Sequence, residues 1–326
     1  MKSRLSFLAG AALAAIAMCL TAAASAQSWP SRPIRVIVPF PPAGGTDVLT
    51  RQLAEKIAAA TKWTLVIDNK PGAGGNIGLE ALAKSAPDGY TIGMGQTANL
   101  AINPGLYAKM PFDALKDFAP VGLVSAQPMV LVVAADSTYR SLADVVAAAK
   151  AKPDGMSMAS AGSGTVGHLA GELFARNAGV KFLHIPYKGA SPAVTDLMGR
   201  QVDIMFANTQ SVMMLVTSGK LRALAVSSAE RVKPLPQVPT IAESGYKGFE
   251  AVTWSGLVAP AGTPDDIIAK LNAEIAKALA RADFLEKLAG DGSQPLGGSP
   301  QQFAQFLRAE QVKWGAAVRA SGAKAD

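Results

Sequence analysis

The chain has 326 residues, 49% of them hydrophobic, with a formal charge of +7 and one cysteine, Cys19. That length predicts about two domains and a core that holds without disulfides. Lys and Arg are scattered, with no basic run and no interleaved aromatics, which argues against a nucleic-acid partner and leaves small anions or an anionic surface as the electrostatic match.

In chain order, residues 1–26 predict a cleaved signal peptide. Lys2 and Arg4 form a basic head, an apolar run covers 5–20, and Ala24-Ser25-Ala26 is a small-x-small cleavage site before Gln27. The run is short for a membrane span of ~20 residues. Met18 stands where a lipid anchor at Cys19 would want a small residue, so Cys19 reads as filler. An exported, soluble protein of the periplasm is expected.

An apolar strand at 34–38 leads into the loop Pro39-Phe40-Pro41-Pro42-Ala43-Gly44-Gly45-Thr46-Asp47, then a helical pattern of Val48, Leu49, Leu53 and Ile57. A strand at 64–67, the loop 69–76 and a helix near 78–83 follow. Pro87-Asp88-Gly89 is turn chemistry before a strand at 90–95, and 101–118 reads as short helix and loop. Strands at 121–124 and 129–133 are parted by Gln127-Pro128, where the first crossing between lobes is placed. Ser141 and Asp144 form a capping box for a helix through 150.

A strand at 156–160 leads into Ala161-Gly162-Ser163-Gly164-Thr165-Val166-Gly167-His168 and a helix ending at Gly179. Strands at 182–185, 202–206 and 222–226 alternate with helices closed at Gly199 and Gly219. Pro234, Pro236 and Pro239 mark an irregular connector, and 252–258 is the strand that crosses back. Helices capped at Thr263-Pro264 and at Ser299-Pro300 have no sheet of their own and are expected to pack on the first lobe. This alternation predicts an α/β fold with a mostly parallel sheet. The expected lobes are 27–127 with 253–326, and 128–252, joined by two crossings that make a hinge.

The loops at 39–47 and 161–168 share one grammar of strand, glycine turn and helix start. A helix start leaves its first N–H groups unpaired and adds partial positive charge, so two such loops facing each other would grip a carboxylate. Gly162-Ser163-Gly164-Thr165-Val166-Gly167 also matches G-x-G-x-x-G. However, Leu183-His184-Ile185-Pro186-Tyr187, where a ribose-binding acid belongs, carries no carboxylate, and a plain tight turn is a further reading. Gly155-Met156-Ser157-Met158-Ala159 lacks the last glycine of a nucleophile elbow. His168 and His184 have no acidic pair at ligand spacing, so neither a metal nor a cofactor is expected. His184 reads as structural. His168 either caps or donates to a bound carboxylate. Asp47 reads as a helix cap, Thr46 as cap and ligand contact, Met205, Met213 and Met214 as core, and Trp254 as either buried or site-facing.

The chain resembles the Bug or TctC-type periplasmic receptors of tripartite tricarboxylate transporters. The resemblance is carried by Ile37-Val38-Pro39-Phe40 with Gly44-Gly45-Thr46-Asp47, Asn69-Lys70-Pro71-Gly72-Ala73-Gly74-Gly75-Asn76, Pro87-Asp88-Gly89-Tyr90, Lys116-Asp117-Phe118-Ala119-Pro120, His168-Leu169-Ala170-Gly171-Glu172-Leu173, Pro186-Tyr187-Lys188-Gly189 and Ala259-Pro260-Ala261-Gly262-Thr263-Pro264. It implies a two-lobed type II periplasmic binding protein, a Venus flytrap with the ligand cleft between the lobes, that hands a small carboxylate to transporter membrane subunits. The pocket it implies comprises Phe40, Gly44, Gly45, Thr46, Gln96, Thr97, Ser163, Gly164, Thr165, His168, Ala207 and Asn208. Ala207 stands where members that bind amino acids tend to carry Asp, which favours a di- or tricarboxylate, an aromatic acid or a keto acid. Gln96 replaces a commonly smaller hydroxyl residue, and Ala43 a common glycine. A monomer without enzymatic activity is expected. The competing readings are a receptor that reports to a membrane signalling partner and a dinucleotide-dependent oxidoreductase.

Overall fold

The structure is a computed structural model that describes residues 29–42, 44–187 and 189–325. The expected signal peptide, Ala43 and Lys188 lie outside the described residues.

Strand β1 (Ile34–Val38), with the sequence IRVIV, buries all but Arg35, the pattern of a strand covered on both faces. It lies between β2 (Leu65–Asn69) and β3 (Thr91–Gln96), parallel to both. β3 then pairs antiparallel with β9 (Val252–Pro260), and β9 pairs antiparallel with β4 (Phe118–Ala134). The second group of strands is built on the far half of β4. There β7 (Ile204–Asn208) and β8 (Leu221–Val226) run antiparallel to it, and β5 (Ser157–Ser160) sits parallel between β7 and β6 (Leu183–Pro186). The strands thus fall into two groups that share β4, the framework of a two-lobed α/β protein.

β4 departs from the sequence expectation of two strands parted by Gln127-Pro128. It is one 17-residue strand that changes partners at that dipeptide. Its ladder with β9 ends at Pro128↔Val252 and its ladder with β7 begins at Met129↔Asn208. Proline has no N–H to donate but is at home in extended backbone, so it ends one ladder without ending the strand. The next amide, Met129 N, donates to Ser227 Oγ at 2.8 Å.

Helix α1 (Gly45–Thr61) covers one face of the first sheet with two later helices, α8 (Asp265–Leu279) and α9 (Ala282–Gly290). Their core includes Val36, Leu53, Ile57, Met94, Leu271, Ile275 and Phe284. The other face carries α2 (Asn76–Ala83), a π-helical turn at Thr97–Ile102 that runs into α3 (Asn103–Leu106), and the long terminal α10 (Pro300–Ser321). Leu79, Leu100, Ile102, Trp254, Phe303 and Trp314 belong to this second core, which continues into the other lobe through Phe174, Phe206 and Phe249. The late helices therefore pack on the first sheet, where the sequence expectation put them. They also bring a short strand that the pattern did not predict, β10 (Gln294–Gly297), antiparallel to β4. In the second lobe lie α4 (Leu142–Ala151), α5 (Val166–Ala178), α6 (Ala190–Met198) and α7 (Thr209–Thr217). Trp254 and Met205 are buried, whereas Met214, expected in the core, is 83% exposed on α7.

Candidate ligand-binding site

The loop after β1 reaches α1 through Gly44, whose backbone is extended and whose missing side chain supplies no cap. Gly44 N donates to Pro41 O at 3.4 Å and Val48 N to Gly44 O at 2.9 Å, and Gly45 and Thr46 are the first residues of α1, where amides point out from the helix start. Asp47 is turned away into the protein. Its carboxylate accepts from Arg51 Nε and from Asn69 Nδ2, both at 2.9 Å. The charge that would repel an anion is thereby matched. Asn69 Nδ2 also donates to Phe40 O at 3.0 Å, so the second loop of the lobe braces the first. Thr46 Oγ1 accepts from Gln96 Nε2 at 2.6 Å, tying α1 to the end of β3.

The loop after β5 needs its glycines for conformation. Gly162 and Gly164 have φ of +142° and +74°. The Gly164 amide is used internally and donates to His168 Nδ1 at 3.0 Å. Thr165 caps α5, its Oγ1 accepting from His168 N at 3.4 Å. The His168 ring is 5% exposed and lies flat on His184, centroids 3.7 Å apart and planes 6° from parallel. Burial, and after it the neighbouring His184, lower the His168 pKa to about 4. Burial lowers His184 as well, and its Nε2 lies 2.7 Å from Ser160 Oγ. The pair is a neutral pedestal beneath the loop.

Between the lobes is a cavity of about 290 Å³. Four helix starts reach it: Gly45 and Thr46 of α1, Val166 and Gly167 of α5, Ala190 of α6, and Gln210 and Ser211 of α7. Ser125, Gln127 and Met129 of β4, with Thr253 and Ser255 of β9, line it from the two strands between the lobes. Among the described lining residues none is Lys, Arg or His, and the one carboxylate is Asp291, which accepts from Gln210 Nε2 at 3.1 Å. Apart from Asp291, the field in the cavity is set by peptide dipoles and hydroxyl and amide side chains, and the helix starts favour a compact anion placed against them.

Of the residues expected from the sequence, Phe40, Gly45, Thr46, Gln96, Ser163, Gly164, Thr165, Ala207 and Asn208 line this cavity. Gly44, Thr97 and His168 do not. Thr97 is fully buried, its Oγ1 accepting from Trp254 N at 2.8 Å, and His168 is the support described above. Sequence reasoning passed over Gln210, Ser211, Tyr107, Gln127 and Asp291. The signal for Gln210 and Ser211 was present, since they open the helix after Asn208 just as Gly45 and Ser163 flank their own helix starts. Nothing local marked Asp291, which arrives from a turn nearly 250 residues beyond the first loop.

Comparison with known proteins places this geometry. The sequence profile described as tripartite tricarboxylate transporter family receptor, TctC, matches residues 49–323. Protein BugT of Bordetella pertussis is 40% identical over 306 residues, covering 94% of this chain and 94% of the relative. Among solved structures, R. palustris Rpa4515 with adipate is 35% identical with a TM-score of 0.82, over 90% of this chain and 98% of that one. MatC from Rhodopseudomonas palustris with bound malate is 31% identical with a TM-score of 0.77, over 89% and 100% of the two chains. Periplasmic binding protein BugD, 36% identical with a TM-score of 0.78 over 91% of this chain and 99% of that one, is a further solved relative, and the enzyme readings fall away. The chain belongs to the TctC family of tripartite tricarboxylate transporter receptors.

Proposed function

We propose that this protein captures a small carboxylate between its lobes and delivers it to the membrane subunits of a tripartite tricarboxylate-type transporter, after export to the periplasm with loss of residues 1–26. The observation that carries the reading is the convergence of four helix starts on a cavity lined by no Lys, Arg or His among its described residues. A single helix dipole contributes only ~0.3–1 kcal/mol, and micromolar affinity needs about 8 kcal/mol. Several charge-assisted hydrogen bonds at roughly 1.5–3 kcal/mol each, in a site closed to water, supply the difference. The cavity volume suits a small molecule, and adipate and malate in the two solved relatives are of the matching class. The lobes are taken as 27–127 with 253–326, and 128–252. The change of partner along β4 at Pro128 supports those limits.

Thermal unfolding of the purified protein against a panel of carboxylates tests the reading. A ligand at 100 times its dissociation constant adds about 2.7 kcal/mol of stability, and no shift with any member sinks the proposal. Ala207, 2% exposed, offers no partner for an ammonium, and Asp291 is engaged by Gln210. Succinate is therefore expected to bind at least about 10-fold more tightly than aspartate, a difference of about 1.4 kcal/mol in calorimetry.

A further inference from the structure

Two glycines of the cavity loops do something other than admit a ligand. A side chain at Gly45 would run into Gln210 Oε1, and one at Gly164 would run into Leu106 Cδ2. Gln210 opens α7 of the second lobe and sits on the start of α1 in the first. Leu106 ends α3 of the first lobe and sits on the α5 loop of the second. The seating is reciprocal, each lobe supplying one protruding side chain and one bare backbone patch. Gln210 is also held from beyond the seat, because its Nε2 donates to Asp291 Oδ2 at 3.1 Å and Asp291 lies in the turn between α9 and β10 of the first lobe. The Gly164 amide is meanwhile consumed by His168, so the absent Cβ there serves Leu106 and not close approach of the amide to a solute.

We infer that Gln210 on Gly45, anchored by Asp291, and Leu106 on Gly164 form a two-point latch that holds the lobes together over the cavity. Leu106, Gln210 and Asp291 also line the cavity, so their effect on closure is read from lobe distances measured without a probe, which a ligand contact alone would not move. The inference rests on the reading of the cavity as a ligand cleft between lobes that close. At Gly45 the atom in the way is the far end of a flexible side chain, so a methyl added there displaces the Gln210 amide and breaks its bond to Asp291 while the backbone stays. The effect of Gly45→Ala therefore depends on Gln210 being present. At Gly164 the φ of +74° strains any substitution, so Leu106 is the position to change.

The test reads lobe separation directly. The chain's one cysteine is Cys19, in the expected signal peptide, so cysteines placed at the exposed Ile77 of α2 and Met214 of α7 label one lobe each. Spin-label distances in the full mature chain are measured with adipate and, separately, malate as probes, and without either. Gln210→Ala, Asp291→Ala and Leu106→Ala are each expected to move population to longer distances and to raise the dissociation rate of a bound probe by at least 10-fold. Asp291→Asn retains an acceptor oxygen and is expected to keep the wild-type distance distribution measured without a probe, which a mere charge or folding defect would not predict. Gly45→Ala is expected to shift the distances in the wild-type background and to add nothing in the Gln210→Ala background. Superimposable distance distributions for wild type, Gln210→Ala and Leu106→Ala overturn the latch, as does an equal effect of Gly45→Ala in both backgrounds. If no member of the carboxylate panel binds wild type yet the distances respond to these variants, the latch stands and the carboxylate reading fails.

Discussion

Glu310 is a buried carboxylate that joins two tryptophans. It is 6% exposed, and its Oε2 accepts from both Trp254 Nε1 and Trp314 Nε1 at 2.7 Å, pinning α10 to β9. Glu310→Ala leaves two buried indole donors without an acceptor, each costing about 1–3 kcal/mol, so a loss of about 2–6 kcal/mol is expected, read as a lower denaturant midpoint with unchanged slope. Glu310→Gln keeps one carbonyl oxygen and should lose less. His168 gives a prediction of different sign structure. Its folded pKa of about 4 lies below the ordinary value of 6.5, so the folded state holds fewer protons than the unfolded one. Stability is then full above about pH 6.5 and declines as pH falls toward 4, by about 3 kcal/mol in all. Urea titrations between pH 7 and 4 read this, and His168→Asn should flatten the slope. Thr97 and His168 also mark where the sequence misdirects at this scale. Both stand beside ligand-facing loops, but the backbone of Trp254, 157 positions away, claims Thr97, and Gly164 and His184 claim His168. Which side of a turn a side chain takes is settled by such distant partners, and a local reading cannot see them.

At the scale of elements, local chemistry was the better guide. Ser141 with Asp144 and Ser299 with Gln302 are both reciprocal capping boxes, at the positions their spacing predicted. Ser299→Ala removes the acceptor for Gln302 N, and a loss of about 1 kcal/mol is expected, read as a lower thermal midpoint. Glycine turns and alternating apolar runs likewise located most strands and helices. Two features escaped. β10, QPLG, has no alternation of its own and is a strand only because β4 offers an open edge. The unity of β4 was hidden because Pro128 reads as a break, when its effect is to end one set of hydrogen bonds within an uninterrupted extended chain. Gly256 in β9 shows the same dependence on a far element. An added Cβ would lie 2.7 Å from the Phe303 ring and 3.1 Å from Gly122 O. Overpacking there should cost about 1–3 kcal/mol in Gly256→Ala, and folding stability checks it.

For the whole molecule, charge and cavity act separately. The chain carries a net positive charge, while its described cavity residues include no cation. On the function proposed above, an anion is expected to be drawn in by the long-range field and then held by fixed dipoles. Raising salt from about 0.05 to 0.5 M should therefore slow association and leave dissociation nearly unchanged, since screening reaches exposed charges and not an enclosed site. Stopped-flow measurement of both rates with adipate checks this, and a dissociation rate that climbs with salt would contradict it.

The course of the chain through its sheets has a last consequence, for how the protein is made. β3 ends at Gln96, but the partner it needs, β9, begins at Val252. The half of the molecule begun first is completed last, since everything from Met129 to Ala251 must emerge before Gly93 can meet Val258. Non-local pairing of this kind slows folding. Until then β3 and the first half of β4 present bare edges, the kind of surface that draws chains together. A chain that is still emerging thus has one late step to complete, and any helper that guards it has those two strands to cover.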